Sequence, residues 1–163
     1  MASPKPQRSI LFVCTGNICR SPTAEAVARQ MIKTHGQENH IRVDSAGTHN
    51  YHVGDSPDKR SIAAAAKRGY DMTNLRARQL NQEDFIQFDL LVAMDITHLH
   101  SMNRLCPPAL APKISLLMRY ATQHDDEEIV DPYYGNEADF EKVLDYCEDA
   151  ISGLLNRILI EQP

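Results

Sequence analysis

Apolar positions alternate along the chain between short runs and longer stripes. The runs at 10–13, 41–45, 88–94 and 114–117 are short and rich in Ile, Val, Leu and Phe, which predicts strands. Helical spacing fills the intervals. Ser21-Pro22 predicts a helix start, with Ser as N-cap and Pro at the first helical position. Ala24, Val27, Ala28, Met31 and Ile32 then recur on one face, and Gly36 follows as a stop. Ser56-Pro57 predicts a second start, with Ile62, Ala63 and Ala66 inside and Gly69 near the end. Asp95 is placed to cap a short helix through Leu99 and Met102, halted by Pro107-Pro108. The longest stripe comes last: Phe140, Val143, Leu144, Cys147, Ile151, Leu154, Leu155 and Ile158.

Strands alternating with helices predict an α/β chain built of βαβ units, with a parallel sheet covered by helices on both faces. Ligands of such sheets sit beyond the carboxyl ends of the strands, near a switch in strand order. Chemistry is therefore expected where the loops after Val13 and Ser45 meet the segments after Met94 and Leu117.

The first of these loops reads Cys14-Thr15-Gly16-Asn17-Ile18-Cys19-Arg20-Ser21 and runs from a strand straight into a helix. Five residues between Cys and Arg suffice to curl once around a tetrahedral oxyanion. Backbone N–H groups can then face inward, reinforced by the positive end of the helix. Gly16 and Asn17 both suit a tight curl. Arg20 can grip two oxygens at once. A field that attracts phosphate also favours a thiolate at Cys14, since cysteines in such settings have pKa values of roughly 3.5–7.5. Ser21 is placed to hydrogen-bond the sulfur. With 11 arginines, nine serines and four cysteines in 163 residues, Cys-x5-Arg-Ser arises by chance roughly once or twice in a hundred such chains.

Composition narrows the remaining choices. A net charge of −5 argues against nucleic acid as a partner. No apolar stretch approaches membrane-spanning length, so a cytoplasmic enzyme with no membrane partner is expected. Four unevenly placed cysteines do not suggest a disulfide framework, and no Cys/His spacing predicts a metal site. No metal or organic cofactor is implied. For a general acid, the 22 acidic residues offer many rivals; Asp131, in an Asp-Pro pair that is also a common turn opener, has Asp95, after a strand's carboxyl end, as its main competitor.

The run from Val13 to Ala26, VCTGNICRSPTAEA, resembles the signature of the low-molecular-weight protein tyrosine phosphatases. The resemblance continues through Val43-Asp44-Ser45-Ala46-Gly47-Thr48, Ala77-Arg78-Gln79, Ala93-Met94-Asp95 and Asp131-Pro132-Tyr133-Tyr134-Gly135. It covers the chain from Arg8 onward, which implies one domain over 8–161 after a short N-terminal extension, 1–7. The implied fold is three-layered and flavodoxin-like, with four parallel strands in the order 2-1-3-4. The implied activity is hydrolysis of protein phosphotyrosine, and of simple aryl phosphates, through a cysteinyl-phosphate on Cys14. Tyrosine-phosphorylated proteins or peptides are then the substrates, with inorganic phosphate as product and inhibitor.

The resemblance also assigns residues. Asp131 becomes the general acid and base, with Asp95 in a supporting or helix-capping role. Thr15, Gly16, Asn17, Ile18, Cys19, Arg20 and Ser21 bind phosphate. Ile18, Tyr51, Tyr133 and Tyr134 wall the pocket, and the adjacent tyrosines are phosphorylatable. Cys19 can form a reversible disulfide with Cys14 under peroxide. Loop support falls to Asn17, Ser45 and Asn74, where Asn74 stands in a segment that carries His in many members. Thr15 replaces a larger apolar residue of some members, which makes the rim more polar. Asp125-Asp126-Glu127-Glu128 reads as a solvated loop that disfavours very acidic phosphopeptides.

Three alternatives share the loop. A protein-arginine phosphatase would carry Thr in place of Ile18. A thioredoxin-coupled arsenate reductase would need two further neighbouring cysteines, whereas only Cys106 follows Met94-Asp95-Ile96-Thr97 before Cys147. A cysteine-phosphorylated carrier would need no general acid.

Overall fold

A computed structural model describes residues 8–161; the 1–7 extension lies outside the described residues. The strands are β1 (Arg8–Cys14), β2 (Ile41–Gly47), β3 (Leu90–Ala93) and β4 (Ile114–Leu116). The helices are α1 (Arg20–Thr34), α2 (Lys59–Lys67), α3 (Asp84–Gln87), α4 (Ile96–Leu105) and α5 (Glu137–Glu161), with 3-10 turns at Pro108–Lys113 and Leu117–Tyr120. All four strands are parallel in the order β2-β1-β3-β4, as the resemblance implied.

Alternation along β1 divides the interior into two cores. Ile10, Phe12 and Cys14 face the layer of α1, α2 and α5, while Leu11 and Val13 face α3 and α4 with Phe85 and Met102. β1 is central and buried on both faces, so it reads as a continuous apolar run. Fully buried side chains of the Phe12 and Phe85 kind each contribute about 1.5–3 kcal/mol through the apolar surface they remove from water. The α5 stripe is buried from Phe140 to Ile158 as its spacing predicted.

Two helix starts differ from the sequence reading. α1 begins at Arg20 and has no side-chain cap, because the Ser21 hydroxyl is engaged with the preceding loop. α2 begins at Lys59 and is capped by Asp58, whose carboxylate accepts from the Arg60 amide, so Ser56-Pro57 lies just outside it. Asp95 caps α4 as expected, accepting from the His98 amide. Among the described residues, no helix is long and apolar enough to cross a membrane.

The edge strand β2 is largely closed to further pairing. The Ile41 amide donates to Gln37 O, Val43 O accepts from Arg29, the Ser45 amide donates to Asp44, and Gly47 bridges to the 78–80 segment. Parallel pairing sets Cys14 beside Gly47 and Val13 beside Ala93. The chain leaves β1 for β2 on one side and β3 on the other, so the 14–20 loop emerges at the switch point.

Candidate active site

The 14–20 loop is held by its carbonyls. Cys14 O accepts from the Thr48 amide at 2.8 Å, Thr15 O from His49 at 3.0 Å, and Ile18 O from Asp58 at 2.8 Å; Cys19 O accepts from Thr23. Every peptide here is trans, so N–H and C=O of one unit point in opposite directions. Anchoring those carbonyls outward therefore turns the amides of Thr15, Gly16, Cys19 and Arg20 to the opposite side. Among the described residues, no N–H of 15–19 donates to a protein group. Asn17 supplies the bend, with φ at +59°. Gly47 lets the loop lie against the end of β2, since a Cβ there would stand 2.6 Å from Thr15 O.

Beneath the loop lies a buried polar chain. Asn17 Nδ2 donates to Ser21 Oγ at 2.8 Å and to Ser45 Oγ at 2.9 Å, and Asn17 Oδ1 accepts from the Arg78 amide at 3.0 Å. Ser45 in turn donates to the Glu25 carboxylate at 2.7 Å, which Arg29 grips from the other side. Burial lifts the Glu25 pKa, against the opposing pull of Ser45 and Arg29. Ser21 Oγ accepts from Asn17, lies 2.9 Å from Cys14 Sγ, and can also donate to Ala46 O at a longer 3.4 Å. The chain thus runs from a carboxylate to the sulfur, with the donors fixed as far as Ser21. Asn74 has no part in it: the side chain is exposed and donates to none of these groups. Glu25 and the Arg78 amide do the work expected of Asn74.

Arg20 is 3 % exposed and fastened on several sides. Nη1 donates to Asp95 Oδ2 and to Ile129 O, both at 2.8 Å, and Nη2 faces His98 Nε2 at 3.4 Å. Asp131 Oδ2 is 3.8 Å from Nη2. The two acidic candidates differ in kind. Asp95 has both oxygens committed, to Arg20, Thr97 and the His98 amide. Burial alone would raise its pKa, but hydrogen bonds from the Thr97 hydroxyl, the His98 amide and Arg20 outweigh that and hold it below the usual carboxylate range. Asp131 is half-exposed and accepts only from the Tyr133 amide, at 3.1 Å.

Cys14, Thr15, Gly16, Ile18, Cys19, Arg20, Tyr51, His52, Asp131, Tyr133 and Tyr134 line one cleft of about 340 Å³. Tyr51 stacks on His49 at 5.0 Å, and Tyr133 meets Tyr134 edge-on at 4.9 Å. Arg60 fixes that wall by donating to Tyr133 O at 2.9 Å and lying against the Tyr133 ring. Tyr134 stands at the rim, 93 % exposed. Cys19 is buried, and desolvation followed by the Asp58 charge pushes its thiol up to about 12. The acidic run is exposed from Asp125 to Glu127, as its composition predicts, and two of its carboxylates also have partners. Tyr146 donates to Asp126, and Glu128 accepts from the Ile96 amide at the start of α4.

His52, His98, Glu25, Arg60 and the Arg78 amide are the site groups the sequence reading missed. For His98 a signal existed, because a residue three after the capping Asp95 returns to the cap. Glu25 and Arg29 likewise have i, i+4 spacing on a helix whose inner face is otherwise small or apolar. Among the described residues, no cluster of three or more His, Cys, Asp and Glu could hold a metal ion.

Fold and loop together define a flavodoxin-like α/β protein whose first strand–loop–helix turn forms the floor of a tyrosine-walled cleft. Residues 9–162 match the family model described as low molecular weight phosphotyrosine protein phosphatase, and the chain belongs to that family of protein tyrosine phosphatases. It is 43 % identical over 142 residues to the human low molecular weight phosphotyrosine protein phosphatase, covering 86 % of this chain and 89 % of that one. A low molecular weight protein-tyrosine-phosphatase from Streptomyces coelicolor is 44 % identical over 149 residues, covering 90 % of each. A crystal structure of a protein tyrosine phosphatase from Entamoeba histolytica superimposes with a TM-score of 0.92 at 37 % identity, covering 94 % of this chain and 98 % of that one.

Proposed function

We propose that this enzyme hydrolyses phosphotyrosine in proteins or peptides by way of a cysteinyl-phosphate on Cys14, with Asp131 moving the protons. The observation that carries the reading is the loop with outward carbonyls around one buried sulfur, faced by a fastened Arg20. The inward amides and Arg20 take the non-bridging oxygens of the phosphoryl group. Cys14 Sγ attacks phosphorus and the P–O bond to the phenol breaks, with the Asp131 proton passing to the leaving oxygen. Asp131, now a carboxylate, then removes a proton from water, which attacks phosphorus. The P–S bond breaks and inorganic phosphate leaves, so phosphate competes with substrate. Ser21 donates to the sulfur as it becomes a leaving group.

Asp131 suits this role because its carboxyl is free to exchange protons with the cleft, whereas both Asp95 oxygens are occupied in holding Arg20 and capping α4. Ile18, Tyr51 and Tyr133 present flat apolar sides to an aromatic ester. Cys19 shares the loop and pairs reversibly with Cys14 under peroxide in the same reading. Its protonated thiol makes that reaction slower than one between exposed thiols. In this reading one catalytic domain spans 8–161 in the cytoplasm, where a reducing environment keeps all four cysteines as the free thiols seen here.

Phosphate release from matched phosphotyrosine, phosphoserine and phosphoarginine peptides tests the substrate class. The expected kcat/KM is highest for phosphotyrosine, by about a hundredfold or more over phosphoserine, whose short ester does not reach the floor. A preference for phosphoarginine would overturn the assignment of Ile18 and the tyrosines as an aromatic slot.

A further inference from the structure

His98 is a buried histidine with no role in the steps above. It lies on α4, 2 % exposed, beside the loop and Arg20. Its Nε2 is 2.7 Å from Thr15 Oγ1 and 3.4 Å from Arg20 Nη2. Its Nδ1 is 3.1 Å from Asp95 Oδ1, off the axis of a good hydrogen bond, and has no other partner. A guanidinium only donates, so the nitrogen facing it must present a lone pair. The other ring nitrogen then carries the hydrogen, and it faces a carboxylate oxygen. The opposite tautomer would set N–H against N–H at Arg20 and lone pair against carboxylate at Asp95. Both ends of the ring select the same neutral form.

Building on the phosphatase reading, we propose that His98 is a positioning residue: neutral and protonated on Nδ1, it accepts at Nε2 from Thr15 and Arg20 and ties the front of the phosphate loop to the guanidinium. Thr15 opens the loop and Arg20 closes it, so one acceptor between them sets the width of the ring at both ends. Asp95 holds Nη1 from the same helix, which makes α4 the rigid mount for Arg20.

The titratable and charged groups facing the ring come from every neighbouring element: Arg20 on α1, Asp95 at the cap of α4, Asp131 in the loop before α5, and His49 after β2. Burial, then the Arg20 charge, brings the imidazole from its ordinary 6.5 to about 4, and the Asp95 and Asp131 charges oppose this only in part. The ring is therefore neutral near pH 7. Protonation would remove the acceptor and place a second cation beside Arg20.

Nitrogen-15 NMR of histidine-labelled enzyme reads the tautomer directly. The expected spectrum at neutral pH assigns the proton of His98 to Nδ1 and an unprotonated, hydrogen-bonded signal to Nε2, unchanged down to about pH 5. Kinetics supply the second arm. His98→Leu is expected to lower kcat/KM on phenyl phosphates by about tenfold to a hundredfold, from a displaced guanidinium. The loss should appear in phosphate affinity as well as in kcat. His98→Gln, which keeps an acceptor at the Nε2 position, should recover most of it. A proton on Nε2, an imidazolium at neutral pH, or a His98→Leu variant as active as the wild type would overturn the proposal. If the wild-type chain hydrolysed no phosphate ester, the phosphatase reading would fail, and the NMR tautomer would still decide the placement of His98.

Discussion

Replacing Cys14 by Ser is expected to lower turnover of phenyl phosphates on the order of 10⁴-fold or more, while inorganic phosphate still binds. A serine hydroxyl is a far weaker nucleophile than a thiolate and a poorer leaving group in the second step. Everything else that grips phosphate stays in place: the loop carbonyls keep their anchors, and Arg20 keeps Asp95 and Ile129. The side chain is buried beside Ser21, so the smaller oxygen fits without strain. Single-turnover kinetics and phosphate titration by calorimetry separate the two effects. Loss of phosphate binding together with turnover would mean that the substitution had collapsed the loop, and full turnover would remove Cys14 from the reaction.

Replacing Asp131 by Ala is expected to cost about 10²–10⁴-fold in kcat on phenyl phosphate. The cost on an ester with an acidic phenol should be much smaller in the first step, because that oxygen leaves without a proton. The second step still needs a base for water, so the variant should release one equivalent of such a phenol rapidly and then slow. Asp131 is half-exposed and makes one hydrogen bond to the Tyr133 amide, so the fold tolerates its loss. Equal losses on both esters with no burst would point away from proton transfer. Asp95→Ala offers a contrast, since it removes the acceptor on Arg20 and the cap of α4 together, and should weaken phosphate binding as well.

Much of this architecture is legible in the pattern of residues, because its strongest signals are local. The apolar run of β1 and the long stripe of α5 are set by burial on known periods, and both lie where the pattern puts them. Boundaries are less legible where a side chain has a distant partner. Ser21 reads as an N-cap, but its hydroxyl serves Asn17 and Cys14 instead. The reading of 88–94 as strand runs too far at its start, because Phe88 ends α3 and Asp89 turns its carboxylate to the Ser9 amide. Four residues of α3 are too few to show a period.

The phosphate loop is legible for the same reason, since its chemistry is contiguous. Asp131 is not: 22 acidic residues compete in the sequence, and the resemblance was needed to single it out. The support around the loop is the least legible part. Asn17, Ser45 and Glu25 come from a loop, a strand and a helix, and only folding brings them into one chain of hydrogen bonds. The resemblance points to Asn74, in a segment that carries His in many members, yet its side chain is exposed and the Glu25–Arg29 pair closes the network without it.

The most direct measurement is to mix the Asp131→Ala enzyme with an activated phenyl phosphate, quench within the burst, and map the phosphorylated peptide by mass spectrometry. The expected result is one phosphate per chain, carried on the Cys14 sulfur. A phosphate on any other residue, or none while phenol is still released, would contradict catalysis through this cysteine.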